Sequence, residues 1–378
     1  MRAVFWFSVI ATFYAYAGYP MVLYLLGLVI KPDSREESGS FLPSVSLIIS
    51  AHNEERVIRE KIENALNLDY PPGLLEIIVV SDGSDDRTCS IVKECRDSRV
   101  ILHHYDGHIG KTACLNRTIP HSKGEIIVFS DANSQYDRHA VKALVEMFTD
   151  RTVGCVTGWT QYVEDGDGSP GLYARLEKAV KSLESKIGSC VGADGAIFAI
   201  QKRLYVPLKD YDINDLVIPL NIVRQGYRVV LGDAAYCRES TAGSSHGEFK
   251  RQIRITARSL RALFNCSDLF NIVRHPLFAF ELMSHKLFKF LVPYFLILVT
   301  ISSGFLAMIG YSWFYSSVFL LQVSWYLMWW AGSRGIQVPL LSGVVSTAQM
   351  FLMVNLAILI GWVRYLQGET FTAWKTAR

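Results

Sequence analysis

Three long stretches without a charged side chain constrain this chain more than any motif in it. Residues 4–30, 290–333 and 335–363 contain no Asp, Glu, Lys or Arg. A helix needs roughly 20 apolar residues to cross a bilayer, so the first stretch supplies one span, the second two and the third one more. The expectation is a multi-pass membrane protein with about four spans. The first stretch far exceeds the roughly 7–15 residue apolar core of a cleaved signal, which makes it a retained anchor. Trp6, Trp313, Trp325, Trp329 and Trp330 suit the two membrane interfaces. Half of the 378 residues are hydrophobic and the mean hydropathy is +0.21, too apolar for an ordinary soluble chain of this length.

Between the apolar stretches the pattern changes. Residues 32–44 form a polar linker after an N-terminal transmembrane helix at residues 1–31. From residue 45, short apolar runs alternate with helical stretches. Strands are expected at 46–50, 76–80, 100–102 and 126–130, with helices at 54–67, 86–95 and 112–119. Further on come a helix at 172–187, a strand at 196–200, a helix at 216–225 and a last strand at 227–231. Such alternation with short loops predicts an α/β domain, residues 45–245, built on a mostly parallel sheet with helices on both faces.

Arg251, Arg254, Arg258 and Arg261 fall at helical spacing within 248–264, away from Phe249, Ile253, Leu260 and Phe264. A basic amphipathic helix beside membrane spans reads as an interfacial helix against anionic lipid, or as a source of arginines for a diphosphate. A second interfacial helix is expected at 269–280. Interfacial helices then occupy 246–286, a C-terminal transmembrane region of about three spans occupies 287–366, and residues 367–378 are a tail.

The net charge of +3 does not imply nucleic acid. The seven cysteines are scattered without a C-x-x-C pair, which argues against zinc and for reduced thiols on the cytosolic side. A cytosolic catalytic domain puts the N-terminus outside. Three later spans then put the tail outside too, although Arg364, Lys375 and Arg378 prefer the inside.

The chemistry sits at the strand ends. The run Ile126-Ile127-Val128-Phe129-Ser130 leads into Asp131-Ala132-Asn133. In an extended segment residues i and i+2 point to one side, so two hard oxygen ligands face one point. That suits Mg²⁺ or Mn²⁺ carried in on a diphosphate, or a polar turn that merely ends the strand. Asn53 and Asp82 also fall at strand ends, where α/β sheets bind ligands. Asn53 and Glu54 equally fit a helix start. Asp82 before Gly83 also fits a turn, and Asn214-Asp215 a helix cap. His103, His104 and His108 are read as solvated loop residues rather than metal ligands.

Taken together these segments resemble the membrane-embedded, inverting glycosyltransferases of family 2, which include cellulose, hyaluronan, chitin and poly-N-acetylglucosamine synthases. The resemblance covers roughly residues 45–261, and the tail around Gly368-Glu369-Thr370 is similar to that of bacterial exopolysaccharide members. It implies a glycosyltransferase-A type fold beside an all-α transmembrane region, a UDP-sugar donor and a Mg²⁺ or Mn²⁺ cofactor. The acceptor would be a growing polysaccharide or a glycolipid, at the cytosolic face of the cell membrane. A homo-oligomer or an export partner would accompany it.

Residue by residue, the resemblance places Ala51, Asn53, Glu54 and Asp82 at the nucleotide. Lys111 of Gly110-Lys111-Thr112-Ala113-Cys114-Leu115-Asn116 would approach the nucleotide from a helix N-terminus. Asp131 and Asn133 take the metal-binding Asp-x-Asp position, with the second carboxylate replaced by an amide. Gly192 and Asp194 fall in the acceptor-side loop, and Asp215 matches the general base. Arg254 matches the family's diphosphate arginine. Arg251 stands where the family carries Gln, and Ile255 where it carries the Trp that helps hold the acceptor, which opens single transfer to a lipid beside processive polymerisation. A non-catalytic nucleotide-binding subunit would keep the fold without the acid residues. The charge-free spans argue against a transporter.

Overall fold

The computed structural model describes residues 1–30, 42–163, 172–240, 245–334 and 342–371. Most of the expected linker (residues 31–41) and of the tail (residues 372–378) lies outside the described residues. The chain divides into two compact units. One comprises Met1–Val22, Ser244–Leu260 and Leu282–Glu369, the other Leu23–Gly243, Arg261–Glu281 and Thr370–Arg378.

The second unit is built on one eight-stranded sheet. Its strands are β1 (Val45–Ala51), β2 (Leu75–Asp82), β3 (Val100–Tyr105), β4 (Ile126–Asp131), β5 (Gln135–Tyr136), β6 (Val153–Val163), β7 (Ile197–Gln201) and β8 (Arg228–Ser240). The order is β3-β2-β1-β4-β7-β6-β8-β5. The β3-β2-β1-β4 half is wholly parallel, whereas β7 runs antiparallel to both β4 and β6. All seven residues of β1 are buried, as continuous β-branched runs covered on both faces must be. The strand order reverses between β1 and β4, and open α/β sheets bind ligands at such a switch point, beyond the strand carboxyl ends.

Several expectations change. After α1 (Arg2–Phe13) and α2 (Tyr19–Val29), the helix expected at 54–67 begins only at Ile58 (α3, Ile58–Leu66), because Asn53 adopts φ 55° and the Glu54 N–H is given to Thr88 Oγ1 at 2.8 Å. The strand expected to end at 231 continues to Ser240, crossing a register irregularity opposite Thr157 and Trp159. The strands β5 and β6 and the helix Ala140–Glu146 were not anticipated. Helices α4 (Thr88–Glu94), α5 (Lys111–Thr118), α7 (Leu172–Ile187) and α8 (Asn214–Arg224) stand close to their expected places, with Ala140–Glu146 as α6.

Three helices among the described residues are long and apolar enough to cross a membrane: Arg2–Val29, Pro276–Met308 and Gln349–Leu366. The fourth expected span corresponds to a 21-residue helix, Trp313–Ser333, whose tryptophans, tyrosines and Gln322 lower its hydropathy. Of the helix expected at 269–280, only the part from Pro276 onward is α-helical. A short 3₁₀ turn, Ser267–Phe270, is followed by the start of the Pro276–Met308 helix, which runs through the expected boundary at 287. Within the first unit, Phe5 meets Tyr315 edge to face at 5.0 Å and the Tyr14 hydroxyl bonds Ser284 Oγ at 2.8 Å.

Candidate active site

Register brings the strand ends together. Ser50 pairs with Asp131, Ala51 with Ser81, and Asp82 with Tyr105. The loops after β1 and β2 then interlock. The Asn53 N–H donates to Ser84 Oγ (3.1 Å), and Asn53 Oδ1 accepts from the Asp85 N–H (3.0 Å). The Glu55 N–H donates to Asp86, and Glu55 Oε2 accepts from the Arg87 N–H. Asn is among the few side chains that tolerate positive φ, and this one spends its amide on the neighbouring loop rather than on a helix cap.

Asp82 is 1% exposed. Its Oδ1 accepts the backbone N–H groups of Ile109 (2.8 Å) and Gly110 (3.1 Å), and its Oδ2 lies 3.0 Å from the Gly110 nitrogen and 3.0 Å from His108 Nδ1. The anion at the start of α5 is thus Asp82 itself, placed where helix N–H groups and the dipole favour negative charge. His108 stacks on His52 with ring centroids 4.0 Å apart, and His52 Nδ1 bonds the Asp82 carbonyl at 2.7 Å. His104 lies apart, 3.3 Å from the Cys89 thiol.

Gly110, at φ 96°, turns the chain so that Lys111 opens α5. The Lys111 Nζ lies 2.5 Å from Asp131 Oδ1. Further along α5, the Asn116 amide brackets Leu208, donating to its carbonyl (2.7 Å) and accepting its N–H (2.9 Å). Thr112 Oγ1 donates to the Asp212 carbonyl at 3.1 Å. One short helix therefore reaches Asp131 at its start and holds, along its length, the segment that leads to Asp215.

Asp215 lies in the first turn of α8. Pro219, inside the same helix, has no N–H to give the carbonyl four residues back. That carbonyl is Asp215's, and it accepts the Ala193 N–H at 2.7 Å instead. The loop Gly192-Ala193-Asp194-Gly195 is thereby pinned beside the acid. A Cβ on Gly195 would stand 3.0 Å from Asp215 Oδ2. Gly195 shortly precedes Ile197, which pairs with Ser130 next to Asp131, so Asp215 and Asp131 lie toward the same end of the β4–β7 strand pair. Asp194 serves the loop: its carboxylate accepts from the Thr160 N–H (3.0 Å), the Thr160 hydroxyl (2.9 Å) and the Ala196 N–H (3.1 Å).

Arg251 and Arg254 belong to the other unit, on α9 (Ser245–Asn265). Arg251 pairs with Glu248 at 3.1 Å. Burial, and Arg251 nearby, lower the pKa of Arg254. No group of three or more His, Cys, Asp or Glu side chains able to hold a metal ion occurs among the described residues. Asp131 and Asn133 would supply a carboxylate and an amide oxygen, hard ligands that fit Mg²⁺ or Mn²⁺ when phosphate and water complete the shell.

The sequence reading missed Lys61, Asn64 and Pro219. The first had a signal: Ile58, Lys61, Ile62 and Ala65 form the buried stripe of α3, and a lysine at a core-facing position of an amphipathic helix is an anomaly.

The parallel half-sheet, its switch point and the acid-bearing loops define a glycosyltransferase-A type domain. Residues 46–200 of the chain match the glycosyl transferase family 2 description. Its curated relatives include a probable glycosyltransferase, YdaM, of Bacillus subtilis, 30% identical over 214 residues (53% of this chain, 51% of the relative). A β-monoglucosyldiacylglycerol synthase of Trichormus variabilis is 33% identical over 141 residues (35% of this chain, 30% of the relative). A poly-β-1,6-N-acetyl-D-glucosamine synthase of Staphylococcus aureus is 24% identical over 235 residues (59% and 56%). The chain spans about half the length of the first of these and less than two thirds of the others. Among solved structures, the mannosyltransferase PcManGT of Pyrobaculum calidifontis, in complex with GDP-Man and Mn²⁺, has a TM-score of 0.74 at 22% identity, covering 97% of this chain and 99% of its own.

Proposed function

We propose that this chain transfers a sugar, with inversion, from a UDP-sugar to a hydroxyl of a growing polysaccharide or glycolipid at the cytosolic face of the cell membrane. The observation that carries the reading is that Asp131, paired with Lys111, and Asp215, held against Gly195, lie toward the same end of the β4–β7 strand pair. Asp215 takes the proton of the acceptor hydroxyl while its oxygen attacks the anomeric carbon. The diphosphate leaves from the opposite face. Lys111 offsets its charge. Ala51, Asn53, Glu54 and Asp82 frame the nucleotide, and the Gly192–Gly195 loop faces the acceptor. A divalent cation on Asp131 and Asn133, when bound, supplies further charge compensation to the diphosphate.

Two observations favour a second reading, single transfer to a lipid acceptor: the similarity to a glycolipid synthase, and Ile255 in place of the family's acceptor-holding Trp. The test offers radiolabelled UDP-sugars, with GDP-mannose beside them, to membranes carrying the native chain or Asp215→Asn. Asp215-dependent label in polymer supports the first reading, and in a lipid extract the second. Asp215-dependent label from GDP-mannose alone overturns the UDP assignment. No Asp215-dependent label from any donor overturns the enzyme.

A further inference from the structure

Lys61 is fully buried on α3, yet it is a lysine. An ammonium taken out of water costs several kcal/mol unless polar partners replace the solvent. Its hydrogen bond and its ring contact both fall in one short segment. The Lys61 Nζ donates to the Ser134 carbonyl and sits 3.9 Å above the centre of the Tyr136 ring. One turn along α3, Asn64 grips the backbone of Tyr136 from both sides, donating to its carbonyl at 2.8 Å and accepting its N–H at 2.9 Å. From the opposite side the Ser134 hydroxyl donates to Glu239 of β8. The Tyr136 hydroxyl donates to the carbonyls of Phe129 (2.8 Å) and Ala196 (3.1 Å), tying the segment to β4 and to the start of β7.

What this apparatus holds is the turn immediately after Asp131-Ala132-Asn133. An apolar residue at position 61 would fill the core stripe of α3 at no desolvation cost, so packing alone does not account for the lysine. We propose that Lys61 is a positioning residue for the candidate cation site, its buried ammonium fixing the turn that carries Asp131 and Asn133. The inference rests on the family 2 reading of those two residues. With one carboxylate in place of two, the site depends more heavily on the angle at which its two oxygens are presented, and the clamp sets that angle. Burial lowers the Lys61 pKa to about 7, opposed by Cys237, Asp131 and Glu239, and the Nζ donates to the Ser134 carbonyl in either protonation state.

The test is Mn²⁺ binding followed by electron paramagnetic resonance on the purified full chain, with UDP and separately with GDP, in wild type and Lys61→Met. Methionine keeps the apolar stem and removes the ammonium. The expected result is a folded variant whose Mn²⁺ affinity in the nucleotide complex falls about tenfold or more. Unchanged affinity in folded Lys61→Met overturns the proposal, because a lysine that only packed would lower thermal stability without moving this value. Should Lys61→Met not fold, Glu239→Gln weakens the same clamp from the β8 side and decides the matter: a fall in affinity supports it, no change overturns it. Wild type that binds Mn²⁺ with nucleotide but transfers no sugar would sink the enzymatic reading, while the comparison of affinities still judges Lys61. No Mn²⁺ binding with either nucleotide overturns both.

Discussion

The Lys111 ammonium lies 2.5 Å from Asp131 Oδ1, on the carboxylate that would otherwise meet a divalent cation. With Asn133 in place of a second acid, that pairing leaves little negative charge for an incoming ion. Two unit charges 4 Å apart interact by about 4 kcal/mol at an effective dielectric constant near 20, so the ammonium repels a bare dication strongly. Mn²⁺ affinity should be weak in the empty protein and rise at least about tenfold with UDP, whose diphosphate draws Lys111 away. Lys111→Met should bind Mn²⁺ more tightly without nucleotide and respond less to UDP. Equal Mn²⁺ affinity with and without UDP in wild type would refute this account.

Gly195 and Asp215 make a second test. A methyl group at position 195 would press on Asp215 Oδ2 at 3.0 Å and rest in ordinary contact with its Cβ and Cγ at 3.5 Å. The acid must give by a few tenths of an ångström, and general-base catalysis is worth roughly 10²–10⁴-fold when well placed. Gly195→Ala should therefore lower kcat by tenfold or more with little change in thermal stability or donor KM. A variant that loses stability and keeps kcat would contradict it.

Pro219 leaves the Asp215 carbonyl to Ala193. In Pro219→Ala a helical N–H competes for that oxygen. Helix stability should not fall, since proline costs about 3 kcal/mol in a helix interior, whereas the 192–195 loop should loosen. The measurement is hydrogen exchange: faster exchange at Ala193 with slower kcat is expected, and unchanged Ala193 protection would rule the mechanism out.

Asp194 carries bonds to Thr160 and Ala196. Asp194 is half-buried and Thr160 buried; removing the acceptor leaves those donors unsatisfied, at about 1–3 kcal/mol. Asp194→Ala should therefore cost stability of that order, seen in thermal unfolding, together with activity. A fully stable Asp194→Ala with only a raised acceptor KM would instead make Asp194 a direct acceptor ligand.

Asp82 and Asp194 mark where reading a sequence stops. Both stand in segments that resemble family motifs, and the strand-end position of Asp82 and the loop position of Asp194 were legible. That each carboxylate is spent on backbone N–H groups of other segments could not be read, because those donors come from residues 27 and 28 positions away for Asp82, and 34 away, at Thr160, for Asp194. The same holds for β6, whose partners β7 and β8 are distant in sequence, and for α3, whose start is delayed by a bond to Thr88.

Local chemistry in the sequence determined the apolar helices, the buried β-branched strands of the parallel half-sheet and the places of Asn53, Asp82, Asp131 and Asp215 at element ends. Periodicity and turn residues act over a few positions, and these features are written there. Only the tertiary structure decided which of those groups face one another. The pairing of Lys111 with Asp131, the carbonyl that Pro219 yields to Ala193 and the burial of Lys61 beneath the Asp131–Asn133 turn each join segments far apart along the chain. Their partners are set by sheet register and helix packing, which no local pattern encodes.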